Sequence, residues 1–501
     1  MEGKIVSKNI LFTVLLQLTI MISGLIVPRV ILIFFGSTIN GLVSSINQFL
    51  TYGSLLEGGV GMVITASLYE PLQKHDLKKV SGIVNASKKF CTQMGEIYAA
   101  YSLVVVLIFT FFVKTDNPKW FVALLVMVLA LSSIIQYMLS MSFRLLLNAD
   151  RKVFFVSLTQ IIIVLSNLAL VILIANLTKN IVLVKLGSAL VYLIQPLMYN
   201  TYVHKHYKLD EHALPDKAAL KHRWDGFGQQ VAYFVSANTD IIVITFFLGL
   251  KSVSVYSVYS LVGMALSNLL VAVSNAIVPS IGNIIATHNS NKIKQAFNNY
   301  EFGMVIATSI FYTCAIILLL PFVGLYTKGI NDANYYQPLF GILLMLSSSM
   351  YCLSEPYVNT CYAAGHIRQL SGYSYIEAII NITLSLLLLN KYGLIGIILG
   401  TMISYLYRLI VHINYLNRRV IKRNNKRLIK MILGFGIVNL VLIKLIEGVV
   451  PYTLKNYFEF FECGILVFII VVVFNLGMGL ILFRKEFCSL MQRSRSKLWK
   501  K

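Results

Sequence analysis

The sequence predicts an all-α integral membrane protein of about fourteen transmembrane helices, and three observations predict it. The 501 residues are 57% hydrophobic and 13% charged, with a mean hydropathy of +0.75. Ordinary soluble domains are roughly 45–50% apolar and about 25% charged. The apolar residues fall into fourteen runs of membrane-spanning length separated by charge clusters. None of these runs alternates with period two, so their backbone amides are satisfied in helices and not in a closed barrel. The same figures exclude disorder and a disulfide-stapled secreted module.

Taken in order, the runs lie near 10–35, 41–66, 94–113, 120–143, 153–175, 181–203, 226–249, 253–278, 298–320, 339–360, 371–389, 394–416, 429–446 and 463–483. The first follows a short charged start and is too long for a signal-peptide core, so it is expected to remain as a span. Six cysteines are scattered without metal-ligand spacing and read as small packing residues.

The formal net charge of +23 reflects orientation. With a cytoplasmic N-terminus, 32 of the 43 Lys and Arg fall in inner segments, nine in outer segments, and Arg29 and Arg408 inside spans. That asymmetry puts both termini in the cytoplasm. No segment offers a folded basic domain, so nucleic acid is not an expected partner. Anionic membrane lipids are, particularly for the pairs Arg418-Arg419, Lys422-Arg423 and Lys426-Arg427, read here as a solvated basic loop.

Shifting the chain on itself by 213 residues places Gly36 on Gly249, His75 on His288, Lys79-Val80 on Lys292-Ile293, and Asn85 on Asn298. The segment KHDLKKVSGIVNA thus echoes THNSNKIKQAFNN. The expected organisation is an N-lobe of helices 1–6 (1–203), an inter-lobe linker (204–223) and a C-lobe of helices 7–12 (224–416). A basic loop (417–428), helices 13–14 (429–483) and a basic tail (484–501) complete it. Two halves of six helices share one orientation, an arrangement suited to a central cavity open alternately to each side.

Charges inside apolar spans single out candidate site residues, because an ionised group at mid-bilayer costs roughly 2.5–3.5 kcal/mol on insertion scales. Arg29, Glu57, Asp240, Glu355 and Arg408 qualify, with Arg144, Glu96, Glu301 and Glu377 toward cytoplasmic ends where they can snorkel. Steps of three and four place Asn40, Ser44, Asn47, Thr51, Ser54, Glu57 and Gly61 on one face of helix 2. Helix 7 repeats the pattern with Gln229, Tyr233, Ser236 and Asp240, helix 10 with Ser348, Cys352, Glu355 and Asn359, and helix 4 with Gln136, Ser140 and Arg144. These faces read as cavity linings, among them Asn40, Asn47 and Tyr233; plain helix–helix hydrogen bonding is the competing reading.

Arg29 follows Pro28, whose ring loosens the helix, and its planar fork suits a pyrophosphate; an ion pair with Glu57 or Asp240 is the alternative. Arg144 and Arg408 are further candidate substrate-binding cations, with Arg408 alternatively a partner for Glu377. Glu57, Asp240 and Glu355, the last followed by Pro356, are candidates for ion coupling or gating. The abundant tyrosines read mainly as an interfacial belt, and Gly396 and Gly400 as a packing pair.

There is no P-loop, no triad or metal constellation and no cofactor motif, and the outer loops are short. An enzyme is therefore not expected, and function belongs to the membrane core.

The run PRVILIFFGSTINGLVSSINQFLTYGSLLEGGVGMVITASLYEPL, followed by NASKKF, resembles the N-terminal signature of bacterial polysaccharide repeat-unit flippases. These are the O-antigen and capsule type within the multidrug/oligosaccharidyl-lipid/polysaccharide exporter superfamily. The resemblance implies two six-helix lobes in a V shape plus a helix pair in the bacterial cytoplasmic membrane. It also implies translocation of an undecaprenyl-pyrophosphate-linked oligosaccharide from the inner to the outer leaflet, alongside polysaccharide polymerase machinery, while H⁺ or Na⁺ as a coupling ion is the reading of the carboxylates Asp240 and Glu57. Arg29 lies inside the matching run. A lipid II flippase and a small-molecule cation antiporter are the competing readings.

Overall fold

The computed structural model describes residues 2–57, 60–210, 212–216, 227–448, 454–484 and 486–487. Most of the expected basic tail, part of the linker and Cys488 lie outside the described residues.

The helices are α1 (Glu2–Tyr52), α2 (Val60–Gln73), α3 (Leu77–Phe111), α4 (Lys119–Ile135), α5 (Met141–Ala149), α6 (Val153–Thr178), α7 (Ile181–Val191) and α8 (Ile194–His206). They continue as α9 (Phe227–Phe247), α10 (Leu250–Ile285), α11 (Ser290–Tyr326), α12 (Pro338–Ala363), α13 (Ile367–Tyr392), α14 (Leu394–Arg419), α15 (Lys426–Glu447) and α16 (Tyr457–Leu482). A 3₁₀ turn covers Gly53–Glu57 and a π-helical turn Gln136–Ser140. No strand occurs among the described residues.

Among the described residues twelve helical stretches are long and apolar enough to cross a membrane, α4 with α5 (Lys119–Ala149) and α7 with α8 (Ile181–His206) each counting as one. The fourteen expected spans map onto them because the first two run together as α1, and the seventh belongs to α9, whose apolar stretch is the shorter Asn238–Phe247. The break inside α1 falls at Gly36, whose φ of 76° and ψ of 179° only glycine adopts readily. The helix runs on through Pro28, whose ring nitrogen has no N–H to give, so one rung of the helical ladder is missing just before Arg29.

Backbone geometry repeats along the chain. Helices begin at Leu77 and Ser290, Val153 and Ile367, and Ile181 and Leu394, pairs 213 or 214 residues apart. They end with the same spacing at Ala149 and Ala363, Thr178 and Tyr392, and His206 and Arg419. Left-handed residues recur in register as Gly36 and Gly249, His75 and His288, Arg151 and Gly365, and Lys179 and Gly393. A left-handed His costs about 1 kcal/mol, so finding it at both copies of one position argues for a shared backbone design. Each such His precedes a matching cap: Asp76 accepts from the Lys79 N–H and Asn289 from the Lys292 N–H, both at 3.0 Å.

The chain divides into two compact units, Met1–Val231 with Ile244–Ser254, and Ala232–Val243 with Val255–Lys501. In the first, Asn9 ties the start of α1 to α6, donating to the Arg151 carbonyl and accepting from the Phe154 N–H, each at 2.9 Å. Residues 244–254 join this unit through close approach to α1. A Cβ at Gly41 would sit 1.8 Å from the Leu250 carbonyl oxygen, Asn40 donates to Ser254 at 2.8 Å, and Ser45 and Thr245 share a 2.8 Å hydrogen bond. Ile64, Leu68, Val80, Leu146 and Tyr199 form much of its apolar core.

In the second unit α13 and α14 pack backbone to backbone, since a Cβ at Gly396 would meet the Leu388 carbonyl at 2.3 Å and one at Gly400 the Ser385 amide nitrogen at 2.6 Å. The pair α15 and α16 is seated on α11 through Ile310, Cys314, Ile317, Leu442, Ile446, Val467 and Val471. A buried hydrogen bond from Asn475 to Asn439 (2.9 Å) links the pair's own helices.

Candidate functional site

A polar cavity of about 180 Å³ lies in the first unit, lined by Glu57, Ser133, Gln136, Tyr137, Met141, Arg144 and Gln195. Local sequence explains how each wall arises. α1 ends at Tyr52, and the next residue, Gly53, lies so close to the Tyr98 ring that a Cβ would come within 2.4 Å of it. The freed carbonyls at its end are satisfied by α3, with Tyr98 donating to Leu50 (3.0 Å) and Tyr101 to Phe49 (2.8 Å). The 3₁₀ turn that follows delivers Glu57, whose Oε1 lies only 3.0 Å from where a Cβ of Gly61 would be.

The opposite wall comes from the π turn. There the Met141 N–H bonds the Gln136 carbonyl, five residues back, and the extra residue re-aims this stretch of helix. Such single-turn insertions cluster at functional sites. Gln136 and Tyr137 face the cavity from the turn, and Arg144 from the first coils of α5. The Arg144 charge acts on Glu57. Gln195 is 1% exposed, and its Oε1 has no hydrogen-bond partner. A buried acceptor left open in a polar cavity is costly unless a donor from a ligand or water reaches it.

Regular helix ends at Tyr52, so the expected polar face of helix 2 does not continue to Glu57 as one surface. Asn40 is buried against Ser254, Asn47 is exposed, and Gly61 belongs to α2. Arg29 is half-buried and engaged by a neighbour. On helix 4, Gln136 and Arg144 come together at the cavity, while the Ser140 hydroxyl turns back to the Gln136 carbonyl at 3.1 Å. The side chains of Gln229, Tyr233 and Ser236 lie outside the described residues.

The second unit holds the other charges in two buried networks. Asp240 accepts from Thr401 at 3.0 and 2.9 Å and from Tyr256 at 2.9 Å. Thr401 in turn accepts from Asn381 at 3.0 Å and lies 3.3 Å from the Ile397 carbonyl. Asn381 is fully buried, and its Oδ1 has no hydrogen-bond partner. Arg408 bridges Glu355 (3.3 Å) and Glu377 (3.4 Å), donates to Ser354 (2.9 Å) and lies 5.0 Å over the Tyr351 ring.

A further network was not legible in the sequence. The Arg423 side chain is 5% exposed and grips Glu301 through both terminal nitrogens, one at 2.7 Å; it also donates to Asn298 at 2.6 Å. Tyr357 donates to the same carboxylate. Burial works against the Arg423 charge, but Glu301 more than offsets it and holds the guanidinium above its ordinary pKa. This corrects two readings: Arg423 is not part of a solvated loop, and Glu301 and Glu377, each 1% exposed, do not snorkel. Several tyrosines likewise belong to the interior, Tyr256 and Tyr357 on carboxylates and Tyr259 on the Tyr335 carbonyl at 2.7 Å. Cys91, Cys314, Cys352 and Cys361 are buried free thiols.

Fold and buried charges together define a multi-pass membrane protein made of a duplicated six-helix design and an added helix pair. Solved structures share this fold. One is the lipid II flippase MurJ in an inward closed conformation, with a TM-score of 0.73 and 18% identity over 95% of this chain and 99% of that one. Another is an inward-facing multidrug resistance MATE family transporter of the MOP superfamily, with a TM-score of 0.62 and 15% identity over 82% of this chain and 96% of that one. A third is a mutant of the Vibrio cholerae MATE transporter VcmN, with a TM-score of 0.58 and 13% identity over 84% and 98%. At these identities the likeness is one of fold. No family model and no curated protein matches the sequence.

Proposed function

We propose that this chain is a flippase of the bacterial cytoplasmic membrane that moves an undecaprenyl-pyrophosphate-linked oligosaccharide repeat unit from the cytoplasmic to the outer leaflet, for cell-surface polysaccharide synthesis. The observation that carries the reading is the cavity in which Arg144 and Glu57 face Gln136 and the unsatisfied Gln195 acceptor inside an apolar bundle. Groups so costly to place in a membrane interior are expected to serve a polar cargo. A guanidinium fork grips phosphoryl oxygens in pairs, and the carboxylate and amides meet sugar hydroxyls.

The fold supports a lipid-borne cargo. MurJ covers 95% of the chain, whereas the two MATE structures cover 82% and 84%. The lipid II flippase among those structures favours one second reading, in which the moved saccharide is that of lipid II. Both readings share a prenyl pyrophosphate headgroup and need no catalytic residue. The charge distribution, 32 of 43 basic residues in inner segments, supports cytoplasmic termini.

Asp240 is the coupling carboxylate in this account. Its oxygens, Thr401 Oγ1 and the Ile397 carbonyl form an oxygen-rich cluster suited to Na⁺ or a proton, with the Asn381 amide nitrogen donating to Thr401 beside it. Alternating access follows only if cargo and ion each bind one state better than the other. The test is reconstitution of the full chain in vesicles with a labelled repeat-unit lipid, lipid II and an organic cation offered separately. Transfer of the repeat-unit lipid ahead of lipid II is expected. Movement of the cation alone would overturn the reading.

A further inference from the structure

A second, larger cavity of about 510 Å³ lies at the other end of the first unit, where residues 112–118 join α3 to α4 and α10 begins. Lys114, Lys119 and Lys251 line it with Thr38, Thr115 and Asn117, and Asp116 is its one carboxylate. None of these four charged groups forms an ion pair among the described residues. The loop is ordered from within, Thr115 Oγ1 accepting from the Asn117 backbone N–H (3.3 Å) and side-chain amide (3.0 Å). Lys119 is steadied 4.9 Å over the Phe111 ring. Lys119 is also the first residue of α4, whose cap Pro118 makes no side-chain cap bond, and Leu250, the first of α10, lines the same space. Two positive helix ends therefore add to the three ammonium groups.

The charge pattern makes this grouping informative. In the orientation that the basic residues favour, this end faces outward, where lysines are scarce. Three of the nine outer-segment Lys and Arg nonetheless gather around one cavity. Hydroxyls and an amide between the cations suit a phosphoryl group whose neighbouring atoms are themselves polar.

We propose that this cavity is an exit site, which receives the phosphoryl groups of the lipid-linked saccharide once they reach the outer leaflet. The ligand's identity rests on the flippase reading, while the anion site stands on the geometry above. Trp120, adjacent to Lys119, supplies a reporter. The full chain, with Trp224→Phe and Trp499→Phe, is placed in phosphatidylcholine nanodiscs and titrated with farnesyl diphosphate or with inorganic pyrophosphate.

Farnesyl diphosphate is expected to change Trp120 emission saturably. The Lys114→Gln, Lys119→Gln, Lys251→Gln triple variant should weaken binding about tenfold, the combined size of three partly exposed ion contacts. Asp116→Asn should tighten it about twofold, a gain that misfolding does not mimic. Lys391→Gln with Lys455→Gln, outer lysines that do not line the cavity, should leave it unchanged. Equal binding by the triple variant, or weaker binding by Asp116→Asn, would overturn the site. Inorganic pyrophosphate binding as tightly as farnesyl diphosphate would overturn its assignment to a lipid headgroup. A chain that transports no saccharide lipid yet shows this lysine dependence would keep the anion site and lose the flippase reading; normal transport without the dependence would sink the site alone.

Discussion

Replacing Arg408 with Met should destabilise the second unit severely. The guanidinium is 5% exposed and lies between Glu355, 5% exposed, and Glu377, 1% exposed, at 3.3 and 3.4 Å. Breaking a buried pair by removing one partner typically costs about 3–5 kcal/mol, because the remaining charge is stranded in low dielectric. Here two carboxylates lose their shared cation, so the cost should lie at the upper end of that range, about 5 kcal/mol. Adding Glu355→Gln and Glu377→Gln removes the stranded charges, and replacing a whole buried network by neutral groups is often close to neutral. The assay is thermal unfolding in detergent followed by a thiol-reactive dye, with the buried Cys314, Cys352 and Cys361 as reporters. Arg408→Met should unfold several degrees below the parent, and the triple variant should recover most of that loss. An Arg408→Met protein as stable as the parent would refute the reasoning. If the triple variant regains its fold but not transport, Arg408 also serves the cargo directly.

Two further outcomes follow from the same geometry. Gly41→Ala should abolish folded protein in a size-exclusion assay, since its Cβ would lie 1.8 Å from the Leu250 carbonyl, whereas Gly24→Ala, with no atom within 4 Å, should behave as the parent. Sodium should raise the unfolding temperature of the parent but not of Asp240→Asn, because a ligand that binds only the folded state stabilises it by mass action; an equal rise in both would remove Asp240 from the ion site.

Much of the fold was legible because lipid imposes a blunt rule on sequence. Any segment that crosses must be apolar and helical, so runs of hydrophobic residues mark the spans. The duplication was legible at His75 and His288 because left-handed turns and the caps after them tie identity to backbone conformation. The cavity was legible only in part. Gln136 and Arg144 were found by helical spacing, but Tyr137 was not, since the π turn shifts the register on which that spacing depends, and Gln195 was not, since it stands alone on α8 with no polar stripe beside it. Nor does sequence separate Arg423, paired with Glu301, from Arg418 and Arg419 in the same basic stretch. Its partner lies 122 residues away, and nothing local announces the pairing.

The most direct test of the central claim is the initial rate at which vesicles holding the full chain transfer a labelled undecaprenyl-pyrophosphate-linked oligosaccharide, measured for the parent, Arg144→Lys and Arg144→Ala at matched protein stability. If the Arg144 cavity carries the pyrophosphate, Arg144→Ala should lose transfer by at least about tenfold, the worth of one charge-assisted contact, and Arg144→Lys should retain part of it. Transfer by Arg144→Ala at the parent's rate would contradict the account.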